Sequence, residues 1–274
     1  MSTKKPGGNP ARAGEAEDAR EARRKKAAAL RQRELARERS RRVVLISIAV
    51  VVVLALVAVV VVVIRRASEP TATAAQQIPA SAGAAGAGYV LPGTPAAGAP
   101  TVDIWVDYQC PYCKQFETAA GESYLAMAAA GQAKVVVHTL TFLDGNLGNT
   151  ASQLAAEGAA AAEAQGKFPE YTTTVFANQP EEGVGYTVAT LRDLAKEAGV
   201  PDLDAWQKAV EGHAYRDYVD SVEDSMKAAG VSGTPTITVT PVGGEKKEIP
   251  TADLLGSDPA GALQQAVTAA TAAP

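Results

Sequence analysis

Hydrophobic side chains in the C-terminal two thirds of the chain follow two different periods. Residues 101–108 alternate as a strand does, and residues 133–142 are β-branched and apolar, which predicts a second strand. The stretch between them, 113–130, is competent to form a helix and ends just before a glycine. The pattern therefore predicts a strand–helix–strand unit.

Glycine and proline divide the region after this unit into shorter stretches. Helices are predicted at 149–166, 168–177, 187–199, 203–212 and 214–229. The separation of Phe142 from Pro235 along the chain is far more than one crossover helix needs, so these helices form an inserted subdomain at about 144–230. The pattern is completed by a strand at 233–240 that is opened by Pro235, a return strand at 245–249 and a closing helix at 251–272 with a candidate break at Pro259.

Residues 43–64 form an apolar run in which Ser47 is the one polar side chain. A helix of this length is about 33 Å long, enough to span a bilayer. Residues 1–42 contain 14 Lys/Arg and 6 Asp/Glu, a balance of +8, which leaves 12 Lys/Arg and 24 Asp/Glu, a balance of −12, for residues 65–274. The positive-inside rule then places the N-terminus in the cytoplasm and the C-terminal region outside. A cleaved signal peptide is the alternative, but its basic leader and apolar core would both be shorter.

The segments on either side of this run differ in composition. Residues 1–42 form a basic cytoplasmic segment that fits a topology determinant near anionic lipid, and neither aromatic residues nor a motif supports nucleic-acid binding there. Residues 65–99 are rich in Ala, Gly and Pro, which predicts a flexible linker with a candidate edge strand at 89–91. The remaining residues, 100–274, have the size of one ordinary domain.

The only two cysteines of the chain are Cys110 and Cys113. They lie directly after the first predicted strand, at the start of the first predicted helix. Unpaired backbone N–H groups and the helix dipole stabilise a thiolate at such a position. Pro111 suits the first helical turn, where its missing N–H has no partner. The spacing therefore predicts a redox-active dithiol with Cys110 as the acidic thiol.

Two other interpretations of the CxxC motif are weaker. A structural zinc site needs four ligands, but there is no third cysteine and the two histidines, His138 and His213, are far apart in the sequence. A purely structural disulfide across so short a loop would constrain the unfolded chain very little. Redox chemistry remains the favoured interpretation, and no metal or cofactor is expected.

The chain resembles the DsbA-like thiol–disulfide oxidoreductases, especially their membrane-anchored extracytoplasmic members. Three segments carry the resemblance: Asp107–Cys113 with its CPYC motif, Gly166–Tyr171, and Val231–Val239 with its Gly-Thr-Pro-Thr loop. Together with the order of the predicted elements, the resemblance implies an α/β, thioredoxin-like fold with an inserted helical subdomain, preceded by a single transmembrane helix and linker.

The resemblance also implies roles for individual residues. Cys110 would be the attacking thiolate and Cys113 the resolving thiol. Thr234 and a cis Pro235 would pack against the disulfide and offer backbone groups to an extended substrate. Apart from the resemblance, Pro111 and Tyr112, which lie between the two cysteines, are expected to contact substrate, and Trp105 is a further candidate.

One departure from many thioredoxin-fold enzymes concerns a buried carboxylate six residues before the first cysteine, where this chain has Ile104. Asp103 and Asp107 flank that position and are interpreted as exposed acids, with proton transfer through water or Asp107 as the alternative. His138 is predicted to be a packed core histidine. His213 is predicted to lie on a solvated helix face.

These observations predict an extracytoplasmic enzyme, anchored in the membrane through residues 43–64, that donates disulfides to reduced exported proteins. A membrane partner that re-oxidises the dithiol is implied by the resemblance alone. The alternatives are a disulfide reductase or isomerase, and a non-catalytic membrane-tethered module that binds peptides. The intact CxxC argues against the second alternative.

Overall fold

The computed structural model describes residues 55–57 and 72–271. Within these residues no helix is both long enough and apolar enough to cross a membrane. The basic segment 1–42 lies outside the described residues, as does the predicted membrane span at 43–64 apart from residues 55–57. The C-terminal part of the chain, Pro70–Pro274, forms one compact unit.

A five-stranded mixed sheet forms the centre of this unit, in the spatial order β1-β3-β2-β4-β5. Strands β2 and β3 are parallel, and every other neighbouring pair is antiparallel. The strands are β1 (Tyr89–Val90), β2 (Thr101–Asp107), β3 (Lys134–Leu140), β4 (Thr236–Thr240) and β5 (Lys247–Glu248).

Helices cover the sheet and fill the insertion. Helix α1 (Pro111–Ala129) is the crossover between β2 and β3. The insertion between β3 and β4 contains α2 (Phe142–Leu147), α3 (Ala151–Glu163), α4 (Phe168–Ala177), α5 (Val188–Glu197), α6 (Leu203–Glu211) and α7 (Arg216–Ala228). The chain after β5 forms α8 (Thr251–Leu254) and α9 (Pro259–Thr271).

The thioredoxin-like α/β fold predicted from the order of elements is confirmed. Strand β3 differs from the sequence pattern, because it ends at Leu140 and the apolar residues that follow it begin the short helix α2 rather than continuing the strand. The candidate break in the closing helix is confirmed, since α8 ends at Leu254 and α9 begins at Pro259.

The central strand β2 is buried on both faces. Val102, Ile104 and Val106 are buried on one face, and Trp105 is only 5% exposed on the other. The imidazole of His138 stacks on Trp105 with ring centroids 3.7 Å apart and bonds Asp103 at 2.9 Å. His138 is therefore a packed core residue, as predicted. Trp105 belongs to the same stack, with one face of its ring against the His138 imidazole.

Trp206 holds the inserted helices together. It is fully buried on α6, and its Nε1 donates to the Gly158 carbonyl of α3 at 2.8 Å. A Cβ at Gly158 would overlap the Trp206 ring and the Tyr171 hydroxyl. The small residues of α3 thus let the large aromatic side chains of α4 and α6 approach its backbone closely.

His213 is buried, which contradicts the prediction of a solvated helix face. It lies in the turn between α6 and α7, where its left-handed φ of 52° directs it inward. Its Nδ1 lies 3.0 Å from Oε2 of Glu157, a carboxylate with no exposed surface. The prediction rested on the charged neighbours of His213 in the sequence, and these do not determine which way a side chain in a turn is directed.

Residues 72–88, which we call the strap, differ from the flexible linker that their composition predicts. The amides of Thr73 and Ala74 donate to the Gly212 carbonyl at 3.0 and 2.9 Å. Further along, the amides of Ala80 and Ser81 donate to the carboxylate of Glu163. These bonds are donated by backbone amides of the strap, whereas amino-acid composition describes only its side chains.

Replacing Glu163 by alanine is expected to loosen the strap, because two strap amides lose their acceptor. The expected cost is about 1–2 kcal/mol of unfolding free energy. Limited proteolysis should show faster cleavage within 72–88. Glu170→Ala is the matched control, since Glu170 makes a surface ion pair with Lys167 at 2.9 Å and does not bind the strap. Equal cleavage rates in the two variants would contradict the assigned role of Glu163.

Candidate active site

Cys110 caps the N-terminus of α1. Its backbone is extended, with φ −75° and ψ 118°, and Pro111 occupies the start of the helix. The Cys110 carbonyl accepts the amides of Cys113 at 3.1 Å and Lys114 at 3.2 Å. Its own amide donates to the Asp107 carbonyl at 3.0 Å. These bonds place the sulfur beside the first free amides of the helix.

The two cysteines are free thiols with different access to solvent. Cys110 is 5% exposed, whereas Cys113, one turn further into the helix, has no exposed surface. Only Cys110 is therefore in a position to meet a thiol or disulfide of another polypeptide.

The thiols also differ in acidity. Hydrogen bonding from Cys113 is the largest influence on Cys110, and bonds from Thr234 and the amides of Cys113 and Tyr112 add to it, so its pKa falls to about 6 despite partial burial. Burial raises the pKa of Cys113 well above its usual value. At neutral pH the pair therefore holds one thiolate and one thiol, and the thiolate is the accessible sulfur.

The loop before β4 faces the dithiol. The Thr234–Pro235 peptide bond is cis, and the Cys110 thiol lies 3.4 Å from the Thr234 carbonyl. Pro235 itself is buried, whereas Pro111 and Tyr112 are exposed, Tyr112 by 57%. The structure thus brings all six predicted site residues to one edge of the sheet, with the exposed ones around the Cys110 sulfur.

The acidity of Cys110 can be tested by alkylation of the reduced protein at different pH values. Reactivity is expected to rise with pH through a midpoint near 6, because the thiolate is the nucleophile. Cys113→Ala removes the main hydrogen-bond donor and should raise this midpoint, whereas Cys113→Ser keeps a donor and should raise it less. A midpoint near the reference value of about 8.5 in the unmodified protein would contradict the acidity assigned to Cys110.

Asp107 is buried, and its interpretation as an exposed acid is wrong. Its carboxylate accepts the Gln109 amide at 2.9 Å, the Ser152 hydroxyl at 2.6 Å and the Leu143 amide at 3.2 Å. Burial raises its pKa to about 7, although these bonds oppose the rise. Alternation along β2 could not reveal this, because the inserted helices cover the end of the strand.

Gln109 also joins the active-site loop to the insertion by hydrogen bonds. Its Nε2 donates to Asp144 at 2.8 Å, Asn149 at 3.0 Å and Ser152 at 2.9 Å. The residue directly before Cys110 is thus fixed to α3 and the chain just before it. Sequence reasoning missed Gln109, since an isolated glutamine has no pattern that would identify it.

A second buried carboxyl, Glu117, was also missed. It lies four residues after Cys113 on α1 and is bonded by the Tyr124 hydroxyl at 2.8 Å and by the Thr173 hydroxyl at 3.3 Å. Burial raises its pKa to about 7. The helical spacing of Cys113, Glu117 and Tyr124 could have placed it on the inner face of α1.

The described residues contain no cluster of three or more His, Cys, Asp or Glu side chains arranged to hold a metal ion. An accessible thiolate paired with a buried thiol can attack or accept a disulfide and then exchange it internally.

Comparison with known proteins agrees with this geometry. A family model described as thioredoxin matches residues 88–250. No curated protein sequence matches the chain significantly.

Several solved structures have the same fold. The MdbA protein, a thiol–disulfide oxidoreductase from Actinomyces oris, is 22% identical over 71% of this chain and 97% of its own, with a TM-score of 0.54. Oxidised BdbD from Bacillus subtilis is 19% identical over 67% of this chain and 99% of its own, with a TM-score of 0.53. MdbA from Corynebacterium diphtheriae is 19% identical over 64% of this chain and 91% of its own, with a TM-score of 0.50.

Proposed function

This chain belongs to the thioredoxin family, and from that premise we propose that it donates disulfides to exported proteins outside the cytoplasm. It is a thiol–disulfide oxidoreductase, in which Cys110 and Cys113 form the redox pair. The observation that carries the proposed direction is the difference between an acidic, accessible Cys110 and a buried, weakly acidic Cys113.

The proposed reaction starts from the Cys110–Cys113 disulfide. A substrate thiolate attacks the Cys110 sulfur, a mixed disulfide forms, and Cys113 leaves as a thiolate that takes up a proton. A second substrate thiolate then attacks the substrate sulfur of the mixed disulfide and releases Cys110 as a thiolate. The substrate gains a disulfide and loses two electrons, and the enzyme pair holds those electrons until a re-oxidising partner removes them.

The acidity of Cys110 favours this direction. A thiolate that is stabilised at neutral pH makes the reduced enzyme more stable and is a good leaving group from the mixed disulfide. The pKa of Cys110 is lowered, so this stabilisation is present at high pH and is lost as pH falls through about 6. Relative to glutathione, whose thiol stays protonated at both pH values, the pair should therefore be a stronger oxidant at neutral pH than at pH 5.

Substrate is proposed to bind as an extended segment along the loop that precedes β4. Thr234 lies against the Cys110 sulfur and has backbone groups that can pair with such a segment. Pro235 holds the loop in place, and Pro111 and Tyr112 extend the contact surface on the other side of the sulfur. Pairing through the backbone does not depend on the side chains of the substrate, which suits an enzyme that accepts many unfolded proteins.

The extracytoplasmic location rests on the sequence of residues 43–64 and the charges on either side of it. We propose that this segment anchors the chain with the catalytic unit outside the cytoplasm. A membrane partner that re-oxidises the Cys110–Cys113 pair is proposed on the resemblance to anchored DsbA-like enzymes.

The orientation can be tested with a reporter enzyme fused after Pro274 that is active only in the cytoplasm. Such a fusion is expected to be silent in cells, whereas a reporter active only outside should give signal. A strong cytoplasmic signal would reverse the proposed topology and remove the extracytoplasmic role with it.

The direction can be tested with the full chain in detergent, oxidised beforehand. It should transfer its disulfide to a reduced, unfolded secreted protein within a single turnover, and the loss of substrate thiols should match the thiols gained by the enzyme. Transfer that runs only from reduced enzyme to substrate disulfide would instead support a reductase. Absence of exchange in both directions would support the non-catalytic alternative.

A further inference from the structure

The side chain of Gln179, in the insertion, binds the backbone of the active-site loop. It follows α4, and its Nε2 donates to the Tyr108 carbonyl at 2.8 Å and the Cys110 carbonyl at 3.0 Å. These are the two carbonyls on either side of Gln109, in the loop between β2 and α1. The side-chain amide of Gln179 therefore holds the backbone at Tyr108 and Cys110.

Neighbouring groups complete this contact. The Tyr186 hydroxyl also donates to the Tyr108 carbonyl, at 3.1 Å, so the segment from Gln179 to Tyr186 is attached to the loop at both ends. The Lys114 ammonium donates to the backbone carbonyl of Gln179 at 3.1 Å, a bond that does not involve its side chain. The Gln179 side chain thus has its own separable task.

We propose that Gln179 is a positioning residue for thiol–disulfide exchange: it holds the Cys110 backbone so that the sulfur stays beside the first amides of α1 and the Thr234 carbonyl. The inference rests on the proposed function, since it concerns the sulfur that exchanges. Gln179 does not itself touch the sulfur and acts through the Cys110 carbonyl.

The geometry explains why the effect should reach the thiol. Cys110 is the capping residue, so its backbone angles set the direction of its carbonyl and of the Cα–Cβ bond that carries the sulfur. The Cys113 and Lys114 amides already bind this carbonyl along the helix, whereas Gln179 binds it from a separate element. Without Gln179 the Cys110 carbonyl keeps only its partners within the helix. The backbone angles of Cys110 can then change, and the sulfur loses its alignment with the Tyr112 and Cys113 amides.

A purely structural role would look different. Gln179 is only half-buried, so water can replace its amide at the two carbonyls, and the loss of stability should be small. The charged and titratable groups nearest the CxxC loop, Lys114, Asp107 and Cys113, remain unchanged when the Gln179 side chain is removed. A change in the pKa of Cys110 would therefore report a change in the alignment of its sulfur with the amides of α1.

The test compares Gln179→Ala, Gln179→Glu and the control Gln165→Ala in the full chain. Gln165 also joins two elements of the insertion through its side chain, by a bond to the Asp202 carbonyl at 3.0 Å and one from the Asp202 amide at 2.8 Å, but it lies away from the CxxC loop. The readouts are the alkylation midpoint of Cys110 and the equilibrium constant of the dithiol with glutathione.

Gln179→Ala is expected to raise the Cys110 midpoint by roughly 0.5 pKa unit, a threefold change in ionisation, and to make the pair correspondingly less oxidising. Gln179→Glu should raise it further, because a carboxylate cannot donate and its charge opposes the thiolate. Gln165→Ala should leave both readouts unchanged. The inference is overturned if both Gln179 variants titrate as the unmodified protein does.

This outcome is separate from the fate of the proposed function. Alkylation and glutathione equilibrium need no protein substrate, so they test Gln179 even if the direction of transfer is wrong. Conversely, a failure of the unmodified enzyme to oxidise substrate would refute the proposed function while the effect of Gln179 on the Cys110 thiolate stood.

Discussion

Replacing Cys110 by serine is expected to reduce disulfide exchange to the uncatalysed rate. Cys110 is the one sulfur of the pair with any access to solvent, and Cys113 has none. A serine hydroxyl at this position neither ionises near neutral pH nor forms a disulfide. The buried Cys113 has a raised pKa and cannot take over the attack. Single-turnover exchange with a reduced, unfolded protein measures this loss.

Cys113→Ser is the matched variant, because it keeps the accessible thiolate and removes the thiol that resolves the mixed disulfide. It should accumulate covalent complexes with substrate proteins that disappear on reduction, and Cys110→Ser should form none. Exchange that persists in Cys110→Ser, or complexes that form through Cys113, would contradict the assignment of the two roles.

Replacing Trp206 by alanine is expected to cost about 3–5 kcal/mol of unfolding free energy. Its side chain is fully buried between α3, α4 and α6 and packs against Tyr171 with ring centroids 6.0 Å apart. The variant would leave a cavity inside the insertion and remove the side-chain bond to the Gly158 carbonyl. Chemical denaturation of the reduced and oxidised full chain measures the effect.

Trp206→Phe separates the two causes, because it keeps most of the volume and removes the Nε1 bond to Gly158. Its cost should be distinctly smaller than that of the alanine variant. The insertion supplies the partners of Gln109 and also supplies Gln179 to the active-site loop. The exchange activity of Trp206→Ala should therefore fall at denaturant concentrations near its unfolding midpoint. A cost below about 1 kcal/mol for Trp206→Ala would contradict the packing around this side chain.

The fold and the thiol pair could be predicted from the sequence because their signals are local. The CxxC motif after a strand and the Gly-Thr-Pro loop are each visible in a short window, and the order of the predicted elements indicated the thioredoxin-like sheet. The placement of Thr234 beside Cys110 was implied by the family resemblance that these motifs carry. Cys110 was also expected to be the acidic thiol, because capping a helix is a local property.

The residues that the sequence pattern did not reveal depend on contacts between distant parts of the chain. Asp107 is buried because helices from the insertion close over the end of β2, and alternation along a strand contains no information about that cover. His213 is buried because of a left-handed turn that meets Glu157. Gln179 is identified only through its bonds to the Tyr108 and Cys110 carbonyls, which lie 71 and 69 positions earlier in the chain.

The strap shows the same limit for composition. Its small and polar residues are those of a linker, and nothing in them identifies the partners of its amides. The acceptors are the Gly212 carbonyl and the Glu163 carboxylate, which come together only when the insertion folds. Low hydrophobicity therefore did not exclude an ordered segment held by its backbone.

The reduction potential of the Cys110–Cys113 pair in the full chain tests the central claim most directly. The lowered pKa of Cys110 and the burial of Cys113 predict a pair that oxidises glutathione at pH 7, with a potential above about −200 mV. The same measurement at pH 5 should give a smaller difference from glutathione, since the Cys110 thiolate is then protonated. A potential near that of thioredoxin, about −270 mV, would show that the pair is a reductant and would contradict the proposed donation of disulfides.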